Sequence, residues 1–239
     1  MKLSEIVPSE NIKVLVVGPA GSGKSCFAAG FPLPILVFDY DGKINSAAAF
    51  YANDKERLSQ IEVKDMRRNF EETDHVAEML RVLREEVVPN PTKYKTIVID
   101  SATTFSAAML RHVVKTNPGV KRTSSVQGLQ PGLQDYGILK REFARIISSF
   151  LALPVNFVML GHVSTDKNDL TGEIIRTPNL DGSFGAELPI YFEEVYRSYM
   201  KDGKPFAQTK SDSYYEFCRS QIPRLPNPVE LKYENLIKK

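Results

Sequence analysis

The sequence has no tryptophan and only two cysteines in 239 residues. The missing tryptophan decides nothing. Cys26 and Cys218 are too few for a disulfide framework and show no metal-site spacing, so a reducing cytoplasm is the expected compartment. No apolar run approaches the roughly 20 residues that a membrane-spanning helix needs, and no membrane partner is expected. The N-terminus lacks a basic segment followed by an apolar one, so no signal peptide is expected. Internal repeats and low-complexity tracts are also missing. Neither sign of charge is in excess. The formal net charge is +2, so the total says nothing about partners and only local clustering can.

What is present has the balance of a soluble globular protein, with 42% hydrophobic and 25% charged residues, and a length that suits one large α/β domain or two small ones. The most informative stretch is Gly18-Pro19-Ala20-Gly21-Ser22-Gly23-Lys24-Ser25, a complete G-x-x-x-x-G-K-[ST] phosphate-binding loop. Ile12 to Val17 before it reads as a short buried strand, and Cys26 to Ala29 after it can continue as a helix. Glycines let the backbone turn its N–H groups towards phosphates, and the following helix adds its positive end. Residues Gly18 to Cys26 are therefore expected to hold a nucleoside triphosphate. Lys24 would reach the β- and γ-phosphates, and the Ser25 hydroxyl would ligate Mg²⁺.

Residues 1–11 read as a lead-in, 12–222 as the core and 223–239 as a tail. Within the core, Ile35 to Phe38 reads as a second buried strand, and 43–59 as a small helical excursion before a short strand near Ile61 and Val63. Asn69 with Glu72 resembles a capping box ahead of a helical stripe from Val76 to Val87. Thr96 to Asp100 is a further buried strand, followed by a helix over Thr104 to Val114. Leu139 to Phe150 forms another helical stripe, and Val155 to Leu160 another strand. Residues 116–133 and 163–184 read as polar, mobile loops. Glu193 to Met200 and Pro205 to Thr209 flank a hairpin turn, and Tyr214 to Cys218 could add a strand. Alternating strands and helices predict an α/β fold with a mainly parallel sheet flanked by helices, and a C-terminal antiparallel hairpin extending one edge.

Hydrolysis needs a carboxylate near the metal and a group that orients water. Asp100 ends an apolar strand, where ligands collect in open α/β sheets, and is the candidate second metal residue. Asp41 is the candidate water-activating base, although Asp before Gly is also a favoured turn pair. His162 follows an apolar strand and could hydrogen-bond the γ-phosphate. Asp39-Tyr40-Asp41-Gly42 matches the D-x-x-G of GTPases, and Thr209-Lys210-Ser211-Asp212 their [NT]-K-x-D. The first lies too close to Lys24 for a switch segment, and the second falls in the hairpin, so the GTPase reading is set aside.

The succession of Gly18 to Ser25, Phe38 to Gly42, Ile97 to Ser101 and Leu160-Gly161-His162 resembles the RecA-type recombinase core. Gln134 to Gly137 and Pro178 to Gly182 make it similar to the phage-encoded single-strand annealing ATPases of the Sak type, over about residues 12–217. The resemblance implies an ATP-hydrolysing, Mg²⁺-dependent protein of the host cytoplasm. It would bind single-stranded DNA, promote annealing or recombination, form a homo-oligomeric ring or filament, and work beside a single-stranded-DNA-binding protein. It puts Asp41 at the catalytic glutamate position, and aspartate is a shorter side chain. It puts His162 where RecA has a glutamine coupling the γ-phosphate to DNA. It makes 116–133 and 163–184 the DNA-binding loops, and Lys210 the cation reaching a neighbouring subunit's nucleotide.

Independently, residues 111–145 hold seven basic residues against Asp135 and Glu142. Lys115, Lys121 and Arg122 fall on or beside the first loop, and Lys167 and Arg176 on the second, where basic side chains can track a phosphate backbone. A solvated helix face with flexible loops would look the same. Two other function classes fit the motifs. One is a DNA-binding module that nucleotide switches without essential hydrolysis. The other is a small-molecule kinase, for which loop 163–184 offers only Arg176 as a lid arginine.

Overall fold

The computed structural model describes residues 11–68, 73–120, 122, 124–125, 128–167, 172 and 174–236. Its elements run β1 (Lys13–Val17), α1 (Lys24–Ala29), β2 (Ile35–Asp39), α2 (Asn45–Phe50), α3 (Lys55–Ser59), β3 (Ile61–Asp65), α4 (His75–Val82) and β4 (Thr96–Asp100). Then follow α5 (Ala102–Thr116), β5 (Ser124–Ser125), β6 (Gly128–Leu129), α6 (Leu133–Leu151), β7 (Asn156–Gly161), β8 (Val163–Lys167) and β9 (Ile174–Pro178). The chain closes with β10 (Glu194–Lys201), β11 (Lys204–Gln208) and β12 (Val229–Glu230).

An eight-stranded sheet in the order β12-β11-β10-β1-β7-β4-β2-β3 organises these elements. From β10 to β3 every neighbouring pair is parallel; β11 and β12 extend the edge antiparallel. This is the α/β P-loop class that the sequence predicts, hairpin extension included. Strands β2, β4 and β7 are buried along their whole length, as expected of parallel strands covered on both faces. Alternate residues feed two cores. Leu15, Val17, Leu36, Phe38, Ile97 and Ile99 pack under α4, α5 and α6 with Phe105, Phe143 and Phe150. Val14, Val16, Ile35, Val37 and Val98 pack against Phe27 and Phe31 of the α1 region. Residues expected to trail as a tail contribute β12, and Leu225, Leu231 and Leu236 are buried in that second core.

Three local expectations are corrected. Residues 163–184 are not a loop throughout: β8 and β9 pair antiparallel, from Val163 opposite Pro178 to Lys167 opposite Ile174. Likewise β5 and β6 form a short antiparallel pair inside 116–133. Tyr214 to Cys218 adds no strand, because Asp212 Oδ1 accepts the N–H groups of Tyr214 (2.9 Å) and Tyr215 (2.7 Å) and folds the chain into a turn. The Asn69–Glu72 capping box lies outside the described residues; Asp74 caps α4 by accepting the Ala77 N–H at 3.0 Å. Among the described residues no helix is long and apolar enough to cross a membrane.

Candidate active site

The parallel strands end along one edge of the sheet, and that edge carries the chemistry. The loop between β1 and α1 turns through Gly21 (φ 75°) and Gly23 (φ 85°), left-handed conformations that favour glycine. Asp39 and Asp100 stand opposite each other at the ends of β2 and β4. Backbone N–H groups of Tyr40 (2.6 Å) and Asp41 (3.0 Å) donate to the Asp100 carbonyl, which draws Asp41 over the end of β4. His162 follows β7, the strand between β1 and β4, and its N–H donates to Thr103 Oγ1 at 3.1 Å.

These ends enclose a cavity of about 360 Å³ lined by Ala20 to Cys26, Asp41, Lys43, Ser46, Asp100 and His162. Lys24 is 7% exposed, and its ammonium donates to the carbonyls of Gly18 (2.9 Å) and Pro19 (2.8 Å). Burial lowers its pKa to about 8, against the attraction of Asp100 and Asp41. Ser25 Oγ donates to Asp100 Oδ2 at 2.7 Å. A hydroxyl and a carboxylate side by side are hard oxygen donors of the kind Mg²⁺ prefers. Among the described residues no group of three or more His, Cys, Asp or Glu could hold a metal ion, so a cation here would take its remaining ligands from phosphates and water.

Asp41 is held on both oxygens. Oδ1 accepts from Ser101 Oγ at 2.9 Å and from Thr104 Oγ1; Oδ2 accepts from His162 Nε2 at 3.0 Å and faces Lys43 Nζ at 3.8 Å. Burial pushes the carboxyl up, but the hydrogen bonds from His162, Thr104 and Ser101 outweigh it and hold Asp41 well below the ordinary carboxylate range. Asp39, paired in the D-x-x-G reading with a GTPase role, instead accepts the Gly42 N–H at 2.6 Å as a turn acid.

The structure thus brings Lys24, Ser25, Asp41, Asp100 and His162 into one cavity. None of the candidate nucleic-acid residues among the described ones lines that cavity, and Lys167 and Arg176 share the β8–β9 hairpin. Lys115 and Lys167 are exposed at the ends of α5 and β8, and Lys121 lies outside the described residues. Arg122 is not a solvent-facing loop cation: it makes a two-pronged ion pair with buried Asp135, at 2.6 and 2.9 Å. Arg176 packs over the rings of Tyr214 and Tyr215, 5.2 Å from each centroid. Lys210 is exposed after β11 and does not line the cavity. Missed by sequence reasoning were Ser101, Thr103 and Thr104, which fix Asp41 and His162, and Lys43 and Ser46 on the cavity wall. The only signal for the hydroxyls was their place at the start of α5, which reads equally well as helix capping.

Burial, reinforced by repulsion from Asp41 and Asp39, pushes Asp100 up to about 6, against the Ser25 hydrogen bond and Lys24. The folded, ligand-free protein therefore binds this proton more tightly than the unfolded chain, whose aspartate titrates near about 4. That contribution to stability is complete below about pH 4 and is lost as pH rises through about 6. Asp100→Asn should then raise the ligand-free melting temperature at pH 7.5, by ~1–3 kcal/mol of stability, and the gain should fade towards pH 4. Thermal melts of both proteins across pH 4–8 without Mg²⁺ check this; a variant that melts below wild type at pH 7.5 would contradict it.

Residues 10–216 match a family described as the AAA domain. Among solved structures, a KaiC-like protein from the hyperthermophilic archaeon Pyrococcus horikoshii OT3 aligns over 83% of this chain and 78% of its own, at 15% sequence identity and a TM-score of 0.44. No curated protein matches.

Proposed function

The chain belongs to the AAA domain family, and on that premise we propose that it hydrolyses ATP in a Mg²⁺-dependent reaction in the cavity around Lys24. The observation that carries this reading is the convergence of Lys24, the Ser25–Asp100 pair and the Asp41–His162 pair on one cavity. Ser25 and Asp100 would hold Mg²⁺, which when bound neutralises phosphate charge. The loop N–H groups and Lys24 grip the phosphates. Water forms a bond to the γ-phosphorus while the bond to the β–γ bridging oxygen breaks, leaving ADP and dihydrogen phosphate, which keeps both of the water's protons. Asp41, with its proton affinity held down, suits orientation of that water better than early removal of its proton, and a loose phosphoryl-transfer transition state asks for little more. His162 senses the γ-phosphate through its bond to Asp41.

The polymer we propose is single-stranded DNA, with annealing or recombination as the outcome, phage-type biology, and assembly as a homo-oligomer beside a single-stranded-DNA-binding protein. Support comes from the RecA-like order of motifs and from chain connectivity. The β8–β9 hairpin starts one residue after His162, carries exposed Lys167, and is tied back by the Asn179 N–H donating to the His162 carbonyl at 2.8 Å. Loss or arrival of a γ-phosphate at His162 therefore has a short covalent path to the hairpin. Steady-state ATP hydrolysis with and without single-stranded DNA tests both levels. We expect turnover that DNA stimulates several-fold. Turnover blind to DNA would remove the DNA reading, and no turnover at all would remove the ATPase reading.

A further inference from the structure

We propose that Lys43 is a catalytic residue, a cation supplied by the same chain to the γ-phosphate during hydrolysis. This deepens the ATPase reading and rests on it.

The turn after β2 is built to hold Lys43 at the cavity. Asp39 Oδ1 accepts the Gly42 N–H at 2.6 Å, and the same carboxylate is stabilised by the N–H groups of Lys43 and Ile44. Gly42 takes φ 67°, which reverses the chain at little cost only because it lacks a Cβ. The backbone of Lys43 is thereby fixed between Asp41 and the start of α2. Its side chain lines the cavity together with Lys24, Ser25 and Ser46.

The ammonium is held loosely. Its partner is Asp41 Oδ2 at 3.8 Å, and the lysine side chain is 61% exposed. Exposed pairs of this kind are worth little. Asp41 does not depend on it, since Ser101, Thr104 and His162 already donate to both carboxylate oxygens. Lys43 can leave Asp41 without stranding a buried charge, whereas Lys24 is committed to the loop carbonyls.

Charge balance gives the move its direction. Among the residues lining the cavity are two carboxylates, Asp41 and Asp100, and no arginine. With Asp100 facing the Mg²⁺ that it and Ser25 would hold, Lys24 and Lys43 are the two Lys or Arg side chains on the cavity wall to set against Asp41 and the phosphates. Phosphoryl transfer spreads negative charge over the γ-phosphate oxygens, and the cations placed on those oxygens carry much of the catalysis. Lys43 is the cation on this wall with the reach and the weak prior commitment. The run Asp39-Tyr40-Asp41-Gly42-Lys43 then acts as one device: Asp39 pins the turn, Gly42 reverses it, Asp41 orients water, and Lys43 meets the developing charge.

The test compares wild type, Lys43→Ala, Lys43→Arg and Lys24→Ala in three assays: steady-state ATP hydrolysis, equilibrium binding of fluorescent ADP, and retention of ADP with aluminium fluoride, which mimics the transferring phosphoryl group. Lys43→Ala should lower kcat about 100-fold, leave ADP affinity within about threefold, and abolish fluoride-dependent retention; Lys43→Arg should recover activity to within about tenfold of wild type. The side chain is exposed, so the variants should keep the fold, and thermal melts verify it. Lys43→Ala turning over within about threefold of wild type with retention intact overturns the proposal, and so does a loss of ADP affinity as large as the loss of kcat. If Lys24→Ala is inactive while Lys43→Ala is normal, only Lys43 loses its role. If Lys24→Ala is itself as active as wild type, the cavity is not the ATPase site and the proposal falls with it.

Discussion

Lys24→Ala should leave ATP turnover about 1,000-fold or more below wild type while the protein stays folded. The loss is large because the ammonium sits in a desolvated site, where burial has already drawn its pKa to about 8 and where a charge acts at low screening. In the ligand-free protein it bonds to the carbonyls of Gly18 and Pro19, beside the cavity. A bound polyphosphate offers a charged acceptor in place of two neutral ones, so the interaction strengthens where reaction charge builds. Stability should change little. Removing a partly desolvated cation relieves a cost that offsets the loss of the lysine bond at the buried Gly18 carbonyl, and the Pro19 carbonyl keeps the Ser22 hydroxyl at 2.8 Å. A turnover assay with a parallel melt decides it: wild-type rates in Lys24→Ala would show that chemistry happens elsewhere, and loss of the folded state would show that the lysine holds the loop together.

The parts of this protein legible in its sequence are those whose cause is local. The phosphate loop is contiguous, and continuous apolar runs such as Thr96 to Asp100 declare buried parallel strands. Asp100 could be picked out because it ends such a run, His162 because it directly follows a strand of that kind, and Asp41 because it stands two residues past the end of another. What could not be read depends on residues far apart in the chain. Ser101 and Thr104 reach Asp41 across about sixty positions, and no periodicity records that meeting. Charge alone does not say whether an arginine faces solvent or a carboxylate, and Arg122 meets Asp135 thirteen residues on. The β8–β9 hairpin hid behind polar composition because β8 is half exposed along its length, so it lacks the apolar alternation that would announce it. Asp39 and Asp41 show the same limit at closer range. The sequence favours Asp41 over Asp39 without showing what holds either side chain; the fold sends Asp39 to a turn N–H and Asp41 to a histidine and two hydroxyls.

Gly18→Ala should damage the protein through collision alone, with no left-handed backbone to add to it. Gly18 directly follows β1, and its N–H donates to the Gly161 carbonyl at 3.1 Å, which fixes its backbone between β7 and β10. An added Cβ would overlap both Ser198 Oγ and the Ser198 carbonyl oxygen. The hydroxyl could rotate away, at the loss of its 2.7 Å hydrogen bond with Ser22 Oγ. The carbonyl cannot, because it belongs to β10, whose parallel pairing with β1 runs up to Val17 opposite Arg197. Either β10 moves off the edge of β1 or the loop lifts from the sheet. The expected cost is ~1–3 kcal/mol of stability, together with at least about tenfold weaker ATP binding, because the Gly18 carbonyl that receives Lys24 shifts with the loop. Gly21→Ala supplies the contrast. Nothing lies within 4 Å of its would-be Cβ, so only the left-handed backbone at φ 75° resists the change, a penalty of ~1–2 kcal/mol with no collision behind it. Melting curves and ATP titrations on the two variants separate crowding from backbone strain. Gly18→Ala matching wild type in both would mean that β10 does not close against the loop, and the edge that shapes the cavity would have to be drawn elsewhere.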